Sequence, residues 1–392
     1  MPQAVIVDVV RTPSGRGKPG GALSAVHPVD LVAGVLTALL ERNGLESRKI
    51  DDVLMGCVSQ IGDQALNIAR QAVLAAGFDE TVPAATIDRQ CGSSQQAAHF
   101  AAQGVIAGAY DIVIAAGVES MSRVPLGSSA HGGTVSDGVA RRYPEGLVNQ
   151  GVSAELIAQR WGFSREELDA FSAESHRRAA DAWTRGAFDS QVVPVLAGAP
   201  DAVAFDETVR AGTTAASLAG LKPAFRTDAL AARFPDLDWR ITAGNSSPLT
   251  DAASAVLIMS EQKAAELGLT PRARFHSFAV VGDDPMMMLT GPIPATKRIL
   301  ERSGLGLDDL DAYEVNEAFA SVPLAWQREL GADPAKLNPW GGAIALGHAV
   351  GASGTRLLGT LVAQLEATGG RYGLQTMCEG GGMANATIIE RL

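Results

Sequence analysis

Ala84-Ala-Thr-Ile-Asp-Arg-Gln-Cys-Gly-Ser-Ser-Gln-Gln-Ala-Ala-His-Phe-Ala-Ala-Gln-Gly-Val-Ile-Ala107 decides the architecture of this chain. Residues 84–87 form an apolar, strand-like stretch. After Cys91 the residues turn small and helix-like, which predicts a helix over 93–107. Strand, tight turn and helix in succession are the building unit of a layered α/β domain. The same stretch places a thiol at the first turn of a helix, where unpaired N–H groups and the helix dipole stabilise a thiolate. It has the mechanics of a nucleophile elbow, a sharp turn that exposes the side chain at its apex. Taken alone, such a Cys in an α/β protein is more often a buried structural cysteine. Two remote segments argue for chemistry instead.

The first is Gly341-Gly-Ala-Ile-Ala-Leu-Gly-His-Ala-Val-Gly-Ala-Ser-Gly354. Small residues around His348 let another segment or a substrate approach the imidazole, which can take a thiol proton. His348 would otherwise be a helix cap or core histidine. The other five histidines lack such surroundings and read as packing or surface residues. The second segment is Cys378-Glu-Gly-Gly-Gly-Met-Ala384. A dinucleotide loop would need a helix after its glycines, whereas residues 384–390 read as a strand. Glycines at 380–382 instead allow backbone N–H groups to face a developing oxyanion. A second thiol suits proton exchange at a carbon next to a thioester. Asn316, at the end of a strand, can orient a water or donate to an oxyanion, or can simply be a turn residue or cap. Met286-Met287-Met288 forms an adaptable apolar wall or plain core, and Cys57 reads as structural.

The β/α rhythm extends outward in both directions. Residues 5–10 and 53–58 read as strands, 29–41 and 66–76 as helices, and 111–116 as a buried strand. From about 122 to 149 the chain becomes rich in Gly, Ser, Arg and Pro, and Ser164-Arg-Glu-Glu167 fits a capping box. The expected organisation is an N-terminal half over 1–118 plus 250–271, an inserted loop subdomain over 119–249 that covers a site, and a C-terminal half over 272–392. In the last part, 313–315, 373–377 and 384–390 read as strands. Residues 317–330 and 352–367 read as helices, with Pro323 expected to kink the former. Each half places a helix and a buried strand next to a site residue, as a diverged duplication would.

The bulk numbers set limits. The chain has 392 residues, 46% of them hydrophobic and 19% charged, which is globular rather than disordered. A net charge of −11 argues against general nucleic-acid or anionic-membrane binding. No apolar run approaches the ~20 residues of a membrane span. The N-terminus reads as a strand rather than a secretory leader, and three cysteines without Cys-x-x-Cys spacing fit a reducing compartment without structural zinc. The expectation is a cytoplasmic protein.

Seven segments together resemble the thiolase family over nearly the whole chain: Asp88 to Ser94, Gly117 to Ser122, Thr242 to Ser247, Thr290 to Pro294, Asn316 to Phe319, Gly341 to Gly354, and Cys378 to Met383. The resemblance implies a layered αβαβα fold of two similar halves. It implies Cys91 as the nucleophile that becomes acylated, His348 as its base and Cys378 as the acid/base at the α-carbon. One oxyanion hole is implied at His348 and an Asn316-held water, and another at the N–H groups of Cys91 and Gly380. Arg210, Ser217 and Ser247 map onto coenzyme A contacts, and Met288 and Phe319 onto the acyl pocket. Coenzyme A enters as substrate, and no metal or redox cofactor is implied.

The implied reaction cleaves a 3-oxoacyl-CoA with CoA to acetyl-CoA and a shortened acyl-CoA, in a homodimer or homotetramer. The same residues would serve acetoacetyl-CoA synthesis, since the reaction is reversible; a non-catalytic acyl-CoA-binding protein is the alternative of another class. Ser94-Gln95-Gln96, Asn149-Gln150, Pro339-Trp340 and Ala349-Val350 depart from short-chain members and favour a medium, long or bulky acyl group. The run Cys91 to Ala97 is similar to members acting on steroid side chains. Glu379 adds a carboxyl beside Cys378 that either raises that thiol's pKa or points away.

Overall fold

The computed structural model describes residues 2–196, 199 and 202–392. In chain order the first elements are β1 (Ala4–Arg11), β2 (Gly15–Arg16), α1 (Pro28–Asn43), β3 (Asp52–Gly56), α2 (Ile68–Ala75), β4 (Ala84–Ile87), α3 (Ser93–Ile106) and β5 (Ile112–Ser120). Five helices follow with no strand of the sheet between them: α4 (Asp137–Arg142), α5 (Gln150–Arg160), α6 (Arg165–Thr184), α7 (Ala215–Leu218) and α8 (Asp228–Arg233). Next come β6 (Thr250–Ser260), α9 (Glu261–Glu266), β7 (Ala273–Gly282), α10 (Pro292–Ser303), β8 (Ala312–Val315) and α11 (Ser321–Leu330). The chain ends with α12 (Ala343–Leu346), α13 (Ser353–Thr368), β9 (Tyr372–Glu379) and β10 (Met383–Arg391).

The strands form a mixed sheet in the order β4-β3-β5-β6-β1-β7-β10-β9-β8, with β2 beside β6. Its two halves repeat one plan. An opening strand, β1 or β7, leads to a covering helix, α1 or α10, that stops at a left-handed glycine, Gly44 or Gly304. A short 3-10 turn and a strand, β3 or β8, come next. A buried helix, α3 or α13, then feeds β5 or β9, which runs parallel to β3 or β8 and antiparallel to β6 or β10. The halves meet along a thin seam, where β1 pairs with β7 at Val5–Arg274 and Ile6–Ala273.

The packing sorts into five layers. One face of the N-terminal half-sheet buries Val5, Val53, Ile114 and Leu257 against α1 and α2. The other buries Ile6, Val113 and Ile258 against α3 and α13, and this cluster continues into Phe275 and Ile389 of the second half-sheet. Outside that half-sheet, α10 and α11 pack Ile293 and Trp326 onto Val281, Tyr313 and Ile388. β1 serves both faces by alternation, and a bulge between Ile6 and Asp8 shifts its phase so that Val9 faces the same layer as Ile6.

α3 and α13 therefore lie between the two half-sheets. Ten of 14 residues of α3 and 13 of 16 of α13 are buried, which a helix with one solvent face does not achieve. Their N-terminal ends cross at backbone contact. A Cβ on Gly354 would fall 2.1 Å from the Gln95 nitrogen, and one on Gly117 would fall 2.3 Å from the Gly351 oxygen. Both obstacles are main chain and cannot swing aside.

The expected helix over 317–330 starts only at Ser321, so Pro323 falls in its first turn and causes no interior break. No helix among the described residues is long and apolar enough to cross a membrane. Gly354→Ala is expected to cost about 1–3 kcal/mol or more through overpacking, measured as a fall in the urea midpoint at unchanged m.

Candidate active site

Cys91 occupies the link from β4 to α3, directly before the cap residue Gly92. Gln90 carries a positive φ of 49°, a conformation that strains any residue with a Cβ. Two side chains hold it there. Asp88 Oδ1 accepts from the Gln90 N–H at 2.7 Å. Ser93 Oγ accepts from the Arg89 N–H at 2.9 Å and donates to the Gln90 carbonyl at 2.5 Å. This is the sharp turn expected from the sequence, but its electrostatic outcome differs. Cys91 is 3% exposed, and burial, with Cys378 and Glu379 adding to it, pushes its thiol well above the usual range. The helix start does not produce a resting thiolate, because desolvation outweighs it. The Gly380 N–H is directed at the Cys91 sulfur and lowers the pKa in part.

His348 sits in the turn between α12 and α13. Gly347 has a φ of 84°, and a Cβ there would lie 2.7 Å from Thr250 Oγ1, which accepts the His348 N–H at 2.9 Å. The imidazole tautomer follows from its neighbour. Ser353 Oγ donates its one hydrogen to the Ala349 carbonyl at 2.8 Å and lies 2.7 Å from His348 Nδ1. Nδ1 must then be the donor, which leaves the Nε2 lone pair unprotonated. Burial, with the Arg356 charge, lowers the His348 pKa to about 3, so the ring is a neutral base.

Asn316 follows β8, its amide nitrogen 3.4 Å from His348 Nε2 and 3.7 Å from Cys378 Sγ. Its Oδ1 is buried and meets no partner among the described residues. Glu317 fixes this loop from below: its carboxylate accepts from Asn338 Nδ2 at 2.8 Å, Ser175 Oγ at 2.7 Å and the Ile344 N–H at 3.1 Å. Cys378 is fully buried near the end of β9, its thiol pushed up to about 11 by burial while Asn316 pulls it down. Glu379 is buried beside it with no hydrogen-bond partner for either oxygen among the described residues. A Cβ on Gly92 would lie 2.0 Å from its Oε1, so this carboxyl presses on the peptide next to Cys91. Burial raises its pKa to about 8, with the Arg89 charge opposing. Three segments of the second half and the elbow of the first thus bring Cys91, His348, Asn316, Cys378 and Gly380 together.

The segment between β5 and β6 covers one side of this group. Ala154 and Ile157 of α5, with Phe163, pack with Met288, Phe319 and Cys378 in one apolar cluster, and the Phe225 and Phe319 rings meet edge to face at 5.7 Å. Farther out, a narrow cleft holds Arg210, Leu218 and Ser246 among its lining. Ser247 is tied to the Asn316 loop through the Ala318 carbonyl at 3.0 Å. Ser217 is exposed and closes a capping box with Thr214, and Arg210 is exposed near His176.

Sequence reasoning singled out neither Ser353, Thr250, Glu317 nor Glu119. Glu119 is buried and accepts from the N–H groups of Val58, Ser59 and Gly351, tying the His348 turn to the end of β5. These are second partners of chemical groups, and only the fold reveals them. Among the described residues, no group of three or more His, Cys, Asp or Glu is placed to hold a metal ion. Ser353→Ala should lower the rate of Cys91 acylation about 10-fold, a loss of about 1.4 kcal/mol, at nearly unchanged KM. Ser353→Thr should restore most of it, and rapid-quench measurement of the acyl-enzyme checks both.

Comparison with known proteins gives a consistent result. The family description "Thiolase, N-terminal domain" matches residues 4–262, and "Thiolase, C-terminal domain" matches 269–391. The steroid 3-ketoacyl-CoA thiolase FadA6 of Mycobacterium tuberculosis is 46% identical, covering 100% of this chain and 95% of that protein. A 3-ketoacyl-CoA thiolase of Klebsiella pneumoniae is 44% identical over 100% of both chains. The crystal structure of an acetyl-CoA acetyltransferase from Bacillus anthracis superposes with a TM-score of 0.88 at 40% identity, covering 100% of this chain and 99% of that one.

Proposed function

The chain belongs to the thiolase family, and we propose that it cleaves 3-oxoacyl-CoA with CoA through an acyl-cysteine on Cys91. The observation that carries the assignment of roles is the Asn316 amide, which lies within reach of both His348 Nε2 and the Cys378 sulfur. In the first half-reaction, Nε2 takes the Cys91 proton as the sulfur attacks the 3-oxo carbon. The developing alkoxide is met by the imidazolium and by a water held on Asn316, whose Oδ1 is free to accept from it. The bond between C2 and C3 then breaks, its electron pair forms the acetyl-CoA enolate, and the Cys378 thiol protonates that carbon. The enolate oxygen lies toward the Gly380 and Cys91 N–H groups.

In the second half-reaction, the CoA thiol loses its proton to the Cys378 thiolate and attacks the acyl-cysteine. The shortened acyl-CoA forms as the Cys91 sulfur leaves, and the His348 imidazolium returns the proton to that sulfur. Starting from a neutral thiol and a neutral imidazole suits this sequence, because charge separates only when a thioester fills the pocket and excludes water. The 3-oxoacyl-CoA enters the first step and free CoA the second, and the CoA moiety of each is bound by Arg210 of the outer cleft together with Ser217 and Ser247.

The acyl group is medium, long or bulky. Support comes from the departures at Ser94-Gln95-Gln96 and Asn149-Gln150 and from the steroid 3-ketoacyl-CoA thiolase among the relatives. The acetyltransferase neighbour keeps the acetoacetyl-forming direction as the second reading. The active form is a homo-oligomer located in the cytoplasm. β4 is a sheet edge, and the nearby helices α2 and α3 carry Leu74 and Phe100, 46% and 43% exposed, which a second copy would cover.

Turnover on a series of 3-oxoacyl-CoAs tests the reading. Higher kcat/KM on long or ring-bearing substrates than on acetoacetyl-CoA is expected, and the reverse order would establish the second reading. Cys91→Ala should abolish turnover. Cys378→Ala should still form an acyl adduct of Cys91 from an acyl-CoA, seen by intact mass, while carbon–carbon cleavage falls at least about 1000-fold.

Glu379 supplies a pH test. Its carboxyl is neutral below about 8 and ionises above it, setting a negative charge beside both thiols. kcat/KM should therefore fall as pH rises through about 8, and Glu379→Gln should move that limb to higher pH. The unfolded chain ionises this group near 4.5. The variant should thus gain stability over the parent as pH rises from 4.5 to about 8, and keep a constant advantage above that.

A further inference from the structure

Beside the turn that carries His348, next to Gly347 and Ala349, a small void lies among β1, β6 and the start of α13. Its polar lining includes Arg11, Ser14, Ser254, Ser353 and Arg356. About 10 Å³ is open to the centre of a water-sized particle, which is room for one such particle. Arg356 is 5% exposed, and its Nε, Nη1 and Nη2 are all buried without a partner among the described residues. A guanidinium out of water costs several kcal/mol unless something negative compensates it.

The Glu314, Asp206 and Glu317 charges favour it from a distance, but none makes a hydrogen bond to it. Arg11, the second cation of the lining, is already matched by Asp206, with contacts of 2.8 and 3.0 Å. Glu314 faces Arg356 from β8 without an ion-pair contact; it accepts from Gln364 Nε2 at 2.7 Å, and burial raises its pKa to about 8. Glu317 is spent on Asn338, Ser175 and Ile344. The hydroxyls of the lining donate inward to the chain: Ser14 to Leu346, Ser254 to Ala352 and Ser353 to Ala349. What remains is a guanidinium without a hydrogen-bond partner, its free N–H donors beside a space for one small particle.

We propose that this void is a binding site for a single monatomic anion of chloride size, held by the Arg356 guanidinium beside Ser353 and the turn that carries His348. The cavity excludes polyatomic anions by size, and the donor set favours a charged acceptor over a neutral water. An ion there gives the guanidinium the partner it lacks and fixes the first turn of α13, from which Ser353 orients the imidazole.

Crystals of the full chain grown in bromide, measured at the bromine edge, should show an anomalous peak within hydrogen-bond distance of Arg356. In solution, Tm should be higher in chloride or bromide than in gluconate at equal ionic strength, saturating with halide. Arg356→Met should remove the difference. Should that variant not fold, Ser254→Val, which fills the void and leaves the guanidinium in place, should remove it instead. Density for a water with no anomalous signal would overturn the proposal, as would equal Tm in chloride and gluconate for the parent chain.

Discussion

The backbone contact between the N-terminal ends of α3 and α13 is the constraint on which the rest depends. At Gly354 the approach leaves no room for a methyl group, and Gly56 and Gly117 admit the same crossing from the adjoining strands. Because the helices touch at their starts, the segments that precede them touch as well. One carries Cys91 and the other carries His348. Two turns some 250 residues apart in sequence are thereby superposed, with the glycine hairpin after Cys378 closing over them. The glycines of these segments serve packing as much as chemistry.

A second theme is that the centre is kept electrically quiet. His348, Cys91, Cys378 and Glu379 are all buried, and each is displaced toward its neutral form. Hydrogen bonds from Gly380 and Asn316 act the other way, but desolvation wins at each thiol. The order Ala349 carbonyl, Ser353 hydroxyl, His348 Nδ1 selects the tautomer without a charged partner. A protein that used a carboxylate at Nδ1 would hold a different resting state.

Much of this was legible in the sequence because local signals and tertiary demands agreed. The strand at β4, the helix at α3, the capping box of Ser164 and Glu167, and the buried strands β5 and β9 lie where their patterns place them. The exceptions have physical causes. β7 alternates Arg274 and His276 with Phe275 because one side of it is only half buried, which blurs its pattern. α10 opens on Pro292 and Pro294, residues that usually argue against a helix yet fit its first turn. The start of α11 was displaced because Glu317 is drawn into a buried polar contact. At the site, cysteines and a histidine flanked by glycine stood out, whereas Ser353 and Thr250 are unremarkable residues until the fold sets them against an imidazole. The duplication was too diverged to read residue by residue, and became visible only in the repeated strand order.

The thin seam between β1 and β7 has a consequence for how the protein loses function. Cys91 belongs to one half-sheet, while His348, Cys378 and Asn316 belong to the other, and only two residue pairs join the halves in the sheet. The α3–α13 crossing and the cluster shared by both half-sheets carry the rest of the joint, and loosening them would leave every strand and helix intact yet separate Cys91 from His348. Inactivation by heat or denaturant should therefore run ahead of the far-ultraviolet signal, which makes turnover a gauge of interdomain docking rather than of secondary structure.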